Sequence, residues 1–241
     1  MHKILRCSLF AALMTACVPP SPPPPRPTEA EIAKRNASKG KPRPAKADPH
    51  DKRTDGLKGG KLLFEDNFNR DELGADWQSK LAGEWQVRKG KLVAKRVAVY
   101  DDRNQGVWLQ RKMPEHARVE FTARVNSGSG DMKCEIFARS ASHEAGYSVI
   151  FGGWDNTINT LTRLGEHEPK RVIQRPHHPV KTGQSYRWKL VRNDNVLRWY
   201  VNDKYFASYP DSDPVKGPYF AFNNWLSDVE FDDFALYDLT P

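Results

Sequence analysis

From residue 61 to residue 241, apolar and polar residues alternate in short runs separated by turn residues. Val119, Phe121, Ala123 and Val125 alternate with Glu120, Thr122 and Arg124, and Ile136 and Ala138 alternate with Phe137 and Arg139. Residues 147–151, 160–164, 186–191, 197–201, 205–209, 219–222 and 229–237 carry further β-branched and aromatic runs. A period of two puts successive side chains on opposite faces of a strand. Trp85-Gln86-Val87 and Lys91-Leu92-Val93 flank Arg88-Lys89-Gly90, which predicts a hairpin with glycine in its turn. Arg192-Asn193-Asp194-Asn195 predicts a second, polar hairpin turn. No amphipathic pattern of helical period exceeds two turns. Many evenly spaced strands without helices predict an all-β fold, a jelly-roll sandwich of two antiparallel sheets over residues 61–241.

The first sixty residues have a different composition. Lys3 and Arg6 precede an apolar run at residues 9–14, too short to span a bilayer of roughly 30 Å. Small residues then lead to Cys17, the layout of a secretory signal. The Leu13-Met14-Thr15-Ala16-Cys17 stretch resembles the bacterial lipobox. That resemblance implies a signal peptide over 1–17, lipidation (palmitate) at Cys17 and anchoring in a lipid bilayer. Val18 after the cysteine, with no aspartate there, implies the outer membrane of a diderm bacterium. Residues 18–60 hold ten of the eighteen prolines and no aromatic residue. Such a segment cannot bury enough apolar surface to offset its conformational entropy, so it is expected to be a disordered, basic, proline-rich stalk. The folded domain is expected to begin at 61.

Charge follows the same division. The whole chain carries +8, but residues 61–241 hold 26 Lys/Arg against 25 Asp/Glu. A nearly neutral domain lacks the basic footprint of a nucleic-acid binder, so no nucleic-acid partner is expected. Cys7 leaves with the signal and Cys17 is the expected anchor, so Cys134 remains alone in the domain and no intradomain disulfide can form. Its alternating neighbourhood predicts a small buried apolar group rather than a nucleophile.

The opening Leu63-Phe64-Glu65-Asp66-Asn67-Phe68-Asn69-Arg70, then Trp77, Gly83-Glu84-Trp85-Gln86-Val87 and Gly90-Lys91-Leu92, resembles the concanavalin A-like lectin/glucanase jelly rolls. It is most similar to the bacterial branch that includes 3-keto-disaccharide hydrolase domains. Val119-Glu120-Phe121, Ile136-Phe137-Ala138-Arg139, Gly146-Tyr147, Tyr186-Arg187-Trp188-Lys189 and Phe231-Asp232-Asp233-Phe234 extend the resemblance over nearly all of 61–241. It rests on strands and turns, and superfamily members include lectins, glycosidases, lyases and interaction modules, so activity has to be argued from a site.

Candidate sites stand out against ordinary strand chemistry. Phe151-Gly152-Gly153-Trp154-Asp155-Asn156-Thr157 places a tryptophan, an acid and an amide after two glycines that end a strand. Asn223-Asn224-Trp225 repeats that chemistry at another strand end, and Arg139 and Arg163 could add charged donors to the same cleft. A tryptophan face stacks on a sugar ring and polar side chains bind its hydroxyls. The competing reading has both tryptophans capping the core and the asparagines making turns. His177 and His178 between prolines could act as acid and base or bind a metal, although exposure in a loop is their simpler role. Glucanases of the superfamily place two glutamates and an aspartate on one strand. The nearest pattern is Asp228-Val229-Glu230-Phe231-Asp232 on the last strand, read as a solvated outer face. Asp66, Asp232 and Asp233, from the first and last strands, could hold the one structural calcium that related jelly rolls often bind; no other cofactor is expected. Without a carboxylate pair on a central strand, the sequence leans away from an enzyme. It points to a membrane-anchored envelope protein whose cleft binds carbohydrate. The alternatives are a glycoside-cleaving enzyme similar to 3-keto-disaccharide hydrolases and an envelope scaffold for a protein partner. Carboxylates and a histidine converging in one cleft would favour catalysis.

Overall fold

The computed structural model describes residues 52–79, 84–94, 106–127, 130–168, 171–173, 179–225 and 227–241. The signal peptide, Cys17, most of the expected stalk, His177 and His178 lie outside them. Fifteen strands follow one another among the described residues: β1 (Lys61–Asp66), β2 (Trp77–Ser79), β3 (Trp85–Arg88), β4 (Lys91–Ala94), β5 (Val107–Leu109), β6 (Ala117–Ser127), β7 (Met132–Ala138), β8 (Tyr147–Gly152), β9 (Ile158–Arg163), β10 (Val172–Ile173), β11 (Ser185–Arg192), β12 (Val196–Val201), β13 (Lys204–Pro210), β14 (Tyr219–Asn224) and β15 (Asp228–Asp238).

They form two antiparallel sheets. One is eight-stranded, ordered β13-β12-β11-β6-β15-β4-β3, with β1 also pairing β15. The other is seven-stranded, ordered β10-β9-β8-β7-β14-β5-β2. The expected hairpins form. Lys89 and Gly90 both take positive φ (51° and 69°) between β3 and β4, the two-residue turn whose twist suits a hairpin. Asn193–Asn195 joins β11 to β12.

Alternation holds where one face is buried. On β6, Val119, Phe121, Ala123 and Val125 enter the core while Glu120, Thr122 and Arg124 face outward. Aromatic rings from both sheets fill the space between them: Phe222 of one stacks on Phe231 of the other with centroids 4.1 Å apart, and Trp188 meets Trp199 at 4.7 Å. The alternation expected through Phe137 does not hold. Phe137 has φ 55°, the register of β14 against β7 shifts between Tyr219 and Phe220, and both Ile136 and Phe137 point into the core. A bulge of this kind spends one residue on turning the strand, so two successive side chains share a face.

The folded unit also starts earlier than residue 61. Asp55 pairs with the fully buried Arg198 of β12 at 2.9 Å, the Tyr200 hydroxyl donates to the Arg53 carbonyl at 2.9 Å, and Arg118 of β6 donates to the carbonyls of Gly56 and Gly59. Burying the Arg198 and Arg118 guanidinium groups requires acceptors, and residues 53–59 supply them. The basic composition that reads as stalk therefore includes a segment bound to the sandwich.

Candidate functional site

The seven-stranded sheet has β7 at its centre. Met132, Cys134 and Ile136 of β7 point into the core, which leaves Lys133 and Glu135 on the opposite face. Burial holds the Cys134 thiol well above its ordinary range, so it is an inert core group, as expected. Connections from the far end of the sheet fold back over Lys133 and Glu135. The β7–β8 connection brings His143, whose Nδ1 lies 2.5 Å from the Glu135 carboxylate. Glu135 is wholly buried and also accepts from Ser148 Oγ at 2.9 Å and Asn223 Nδ2 at 3.4 Å. The segment after β9 brings Glu166, 2.7 Å from Lys133 Nζ and 3.5 Å from His143 Nε2.

Two basic groups and two carboxylates thus alternate beneath one surface. Burial alone would lower the pKa of His143, but the bond to Glu135 and its charge raise it overall. Burial would raise that of Glu166, but Lys133 and then His143 bring it down, so Glu166 is ionised. Asp131, one residue before β7, behaves differently. It is 7 % exposed, its backbone N–H is bonded to the Gly152 carbonyl, and its Oδ1 has no hydrogen-bond partner among the described residues. Burial pushes its carboxyl up to about 7, with Lys133, 3.8 Å away, opposing only in part.

Beside this floor the chain makes a left-handed turn over Gly153–Asn156. Gly152 has φ 79°, and Trp154, Asp155 and Asn156 follow at φ 51°, 55° and 58°. Each non-glycine residue held there costs roughly 1–2 kcal/mol, so the surroundings must hold the turn. Thr157 donates from its N–H to the Gly153 carbonyl and from Oγ1 to the Trp154 carbonyl. Asn156 exchanges two 2.8 Å bonds with the backbone of Val180, and Asn159 Oδ1 accepts from Gly152 N–H. Strain maintained in this way is a mark of functional segments. The turn sets Trp154 and Asp155 on one side of a cleft of about 310 Å³, with Trp225 on its rim and Asp131, Lys133, His143, Glu166, His167 and Asn223 completing the lining. His167 meets Trp154 edge-on at 5.5 Å, and the Arg171 guanidinium lies 4.9 Å from the Trp154 ring centroid.

Gly130 keeps the turn close to Asp131. It has φ +108°, and a Cβ there would sit 2.5 Å from the Gly152 carbonyl oxygen. Gly130→Ala is expected to cost about 2 kcal/mol, since both the backbone conformation and the contact resist a side chain. Thermal melting checks this.

No family model matches the chain, and no curated protein matches it. Solved structures do. The laminarinase from Rhodothermus marinus aligns with a TM-score of 0.55 at 14% identity, over 76% of this chain and 99% of that one. A protein of unknown function with a galectin-like fold from Bacillus subtilis aligns at 0.55 and 13% identity, over 75% and 97%. The carbohydrate recognition domain of Emp47p aligns at 0.51 and 13% identity, over 74% and 97%. The fold is the jelly-roll sandwich of two antiparallel sheets that these structures share.

Within this jelly roll, Trp154, Asp155, Asn223 and Trp225 line one cleft, as the sequence suggests. Trp225 is 39 % exposed rather than a cap on the core. Asn156 and Asn224 are structural: the first pins the left-handed turn to Val180, the second donates to the Ser227 carbonyl at 2.6 Å in the β14–β15 connection. Arg139 and Arg163 do not reach the cleft. Met132 pairs with Phe151 while Ile136 pairs with Tyr147, so the ends of β7 and β9 lie at the opposite edge from the turn. Arg163 is bound there to Asp211 at 2.7 Å, and Arg139 is exposed.

The expected calcium ligands do not converge. The first and last strands pair, with Asp66 opposite Phe234, but Asp66 is bound to Arg70, the Phe68 N–H and Trp77 Nε1, while Asp232 is bound to Lys91 at 2.5 Å and Asp233 donates its N–H to Asp232. Asp228, Glu230 and Asp232 share the outer face of β15, as read, although β15 lies inside its sheet rather than at an edge. Among the described residues, the group with metal-ligand spacing is Glu135, His143 and Glu166. The Lys133 ammonium, 2.7 Å from Glu166, already supplies a cation there. Asp131, Lys133, Glu135, His143, Glu166 and His167 escape the sequence reading. The available signal is Lys133-Cys134-Glu135, whose polar positions share a face of the central strand. It places one carboxylate, Glu135, on the central strand beside a lysine, and not the carboxylate pair whose absence leans the sequence away from an enzyme.

Proposed function

We propose that the cleft binds a short glycan. The observation that carries this is the pair of tryptophans, Trp154 and Trp225, on the margins of a cleft floored by polar groups that are already oriented by one another. Aromatic faces match the apolar faces of sugar rings, and Asn223, Asp155 and Asp131 offer partners for hydroxyls. The similar structures, a laminarinase and a carbohydrate recognition domain among them, support the same ligand class. A cleft of about 310 Å³ has room for a short stretch of sugar units. The test is a glycan array probed with the full chain and with Trp225→Ala. Because Trp225 is partly exposed, the variant is expected to keep its stability within about 0.5 kcal/mol and to bind about tenfold or more weakly. Equal binding by both proteins would overturn the assignment.

Glycoside cleavage is the second reading, favoured by Asp131 and Glu166. Both border the cleft and both lie within 3.8 Å of Lys133 Nζ, yet one carboxyl is held near neutrality and the other is ionised. Carboxyls driven apart in this way suit a proton donor and its ionised partner. Glu135 is wholly buried beneath the cleft and would position His143, which lines it, rather than touch a sugar. Release of reducing ends from a bound oligosaccharide separates this reading from binding alone. The lipobox resemblance ending at Cys17 supports an exported, lipid-anchored protein at the outer membrane, and residues 18–51 would then hold the jelly roll off the bilayer.

A further inference from the structure

We infer that the cleft prefers sugars bearing a free ammonium group, with Asp131 and Asp155 as its counter-charges. This deepens the glycan-binding reading and rests on it.

The charges that line the cleft do not balance. Lys133 is matched by Glu166 at 2.7 Å, and His143 by Glu135 at 2.5 Å. Two carboxylates in the lining remain. Asp131 is more than nine-tenths buried, borders the cleft, and has an Oδ1 with no hydrogen-bond partner among the described residues. Its closest cation, Lys133, is 3.8 Å away and engaged elsewhere. Asp155 stands on the cleft side of the left-handed turn without an ion pair among the described residues. Of the other basic groups nearby, Arg171 lies over Trp154 and donates to the Glu166 carbonyl, and His167 packs against the Trp154 edge; among the described residues neither makes an ion pair with Asp131 or Asp155.

A buried carboxyl oxygen without a donor is costly unless a ligand completes it. An ammonium supplies three donors and the missing charge. The exposed Trp225 indole adds a preference for cations over neutral groups. A neutral sugar can satisfy Asp131 with a hydroxyl, but it leaves the charge uncompensated. The elevated pKa of Asp131 is what such an uncompensated carboxyl shows.

The test titrates the full chain by calorimetry with a glucosamine trisaccharide, its N-acetylated counterpart and the matching glucose trisaccharide. At pH 7 the amine form is expected to bind about tenfold tighter than either neutral form, the size of one charge-assisted contact. In Asp131→Asn the ratio should fall towards one, and Asp155→Asn, on the cleft margin, should lower it in part. Equal affinity for the three sugars, or a ratio unchanged by Asp131→Asn, overturns the inference and leaves the glycan-binding reading intact. Failure of the chain to bind any glycan, on the array or in solution, overturns both.

Discussion

Glu135→Ala is expected to destabilise the protein by about 4 kcal/mol, the usual cost of removing one partner from a buried ion pair. The carboxylate is wholly buried and holds three donors, His143 Nδ1, Ser148 Oγ and Asn223 Nδ2. Alanine leaves a charged imidazole, a hydroxyl and an amide without their acceptor, together with a cavity beside the central strand. The effect should depend on pH. The folded pKa of His143 is raised, so its contribution to stability is complete below the unfolded value of about 6.5 and is lost as pH climbs through the raised folded value. The penalty of Glu135→Ala should therefore be larger at pH 6 than at pH 9. Urea unfolding at both pH values measures it; a penalty below about 1 kcal/mol at pH 6 would mean that the pair does not hold the cleft floor together.

Asp131→Asn is expected to act in the opposite direction, stabilising the protein by about 3 kcal/mol at pH 8. An aspartate whose folded pKa is about 7, against an ordinary 3.8, keeps its proton in the native state while the unfolded chain loses it. Stability therefore falls as pH rises from about 4 to about 7, and above that window the native state carries the full cost of a buried carboxylate. Asparagine avoids that cost and tolerates the positive φ of 67° at this position at least as well. The gain should be absent at pH 4 and complete by pH 8, read from chemical denaturation. A group retained despite such a cost suits a binding role, and the variant that gains stability is the one expected to lose the preference for amino sugars.

Much of the fold is legible in the sequence because the core imposes it. On β6 or β11, one face must be apolar at every second position, and two-residue turns such as Lys89-Gly90 announce themselves by composition. Phe137 is not legible, because a bulge is set by how β14 meets β7 and leaves no mark on the alternation of β7 itself. Trp154 and Trp225 are visible because they stand outside the strand pattern, at strand ends. The floor beneath them is harder to see. His143 and Glu166 come from connections without periodicity and meet Lys133 and Glu135 only after those connections fold back over the sheet. Arg139 and Arg163 show the converse error: proximity in sequence to the right strands does not tell which end of an antiparallel strand faces the cleft. The early boundary at Arg53 and Asp55 is hidden by composition, since a lysine- and proline-rich segment gives no hint that buried arginines on other strands need its carbonyls and carboxylate.

The position of β15 bears on how the chain must be assembled. It follows every other described strand in sequence, yet it lies between β6 on one side and β4 and β1 on the other. A nascent chain emerging from its N-terminal end would have β1, β4 and β6 available long before the strand that joins them, with Phe121 and Phe222 lacking Phe231 as a partner. Closure over such a separation is slow compared with pairing of neighbouring hairpins. The eight-stranded sheet thus cannot zip up progressively during synthesis; it waits for its keystone, and a chain cut short before Asp228 would lose the middle of the sheet rather than an edge.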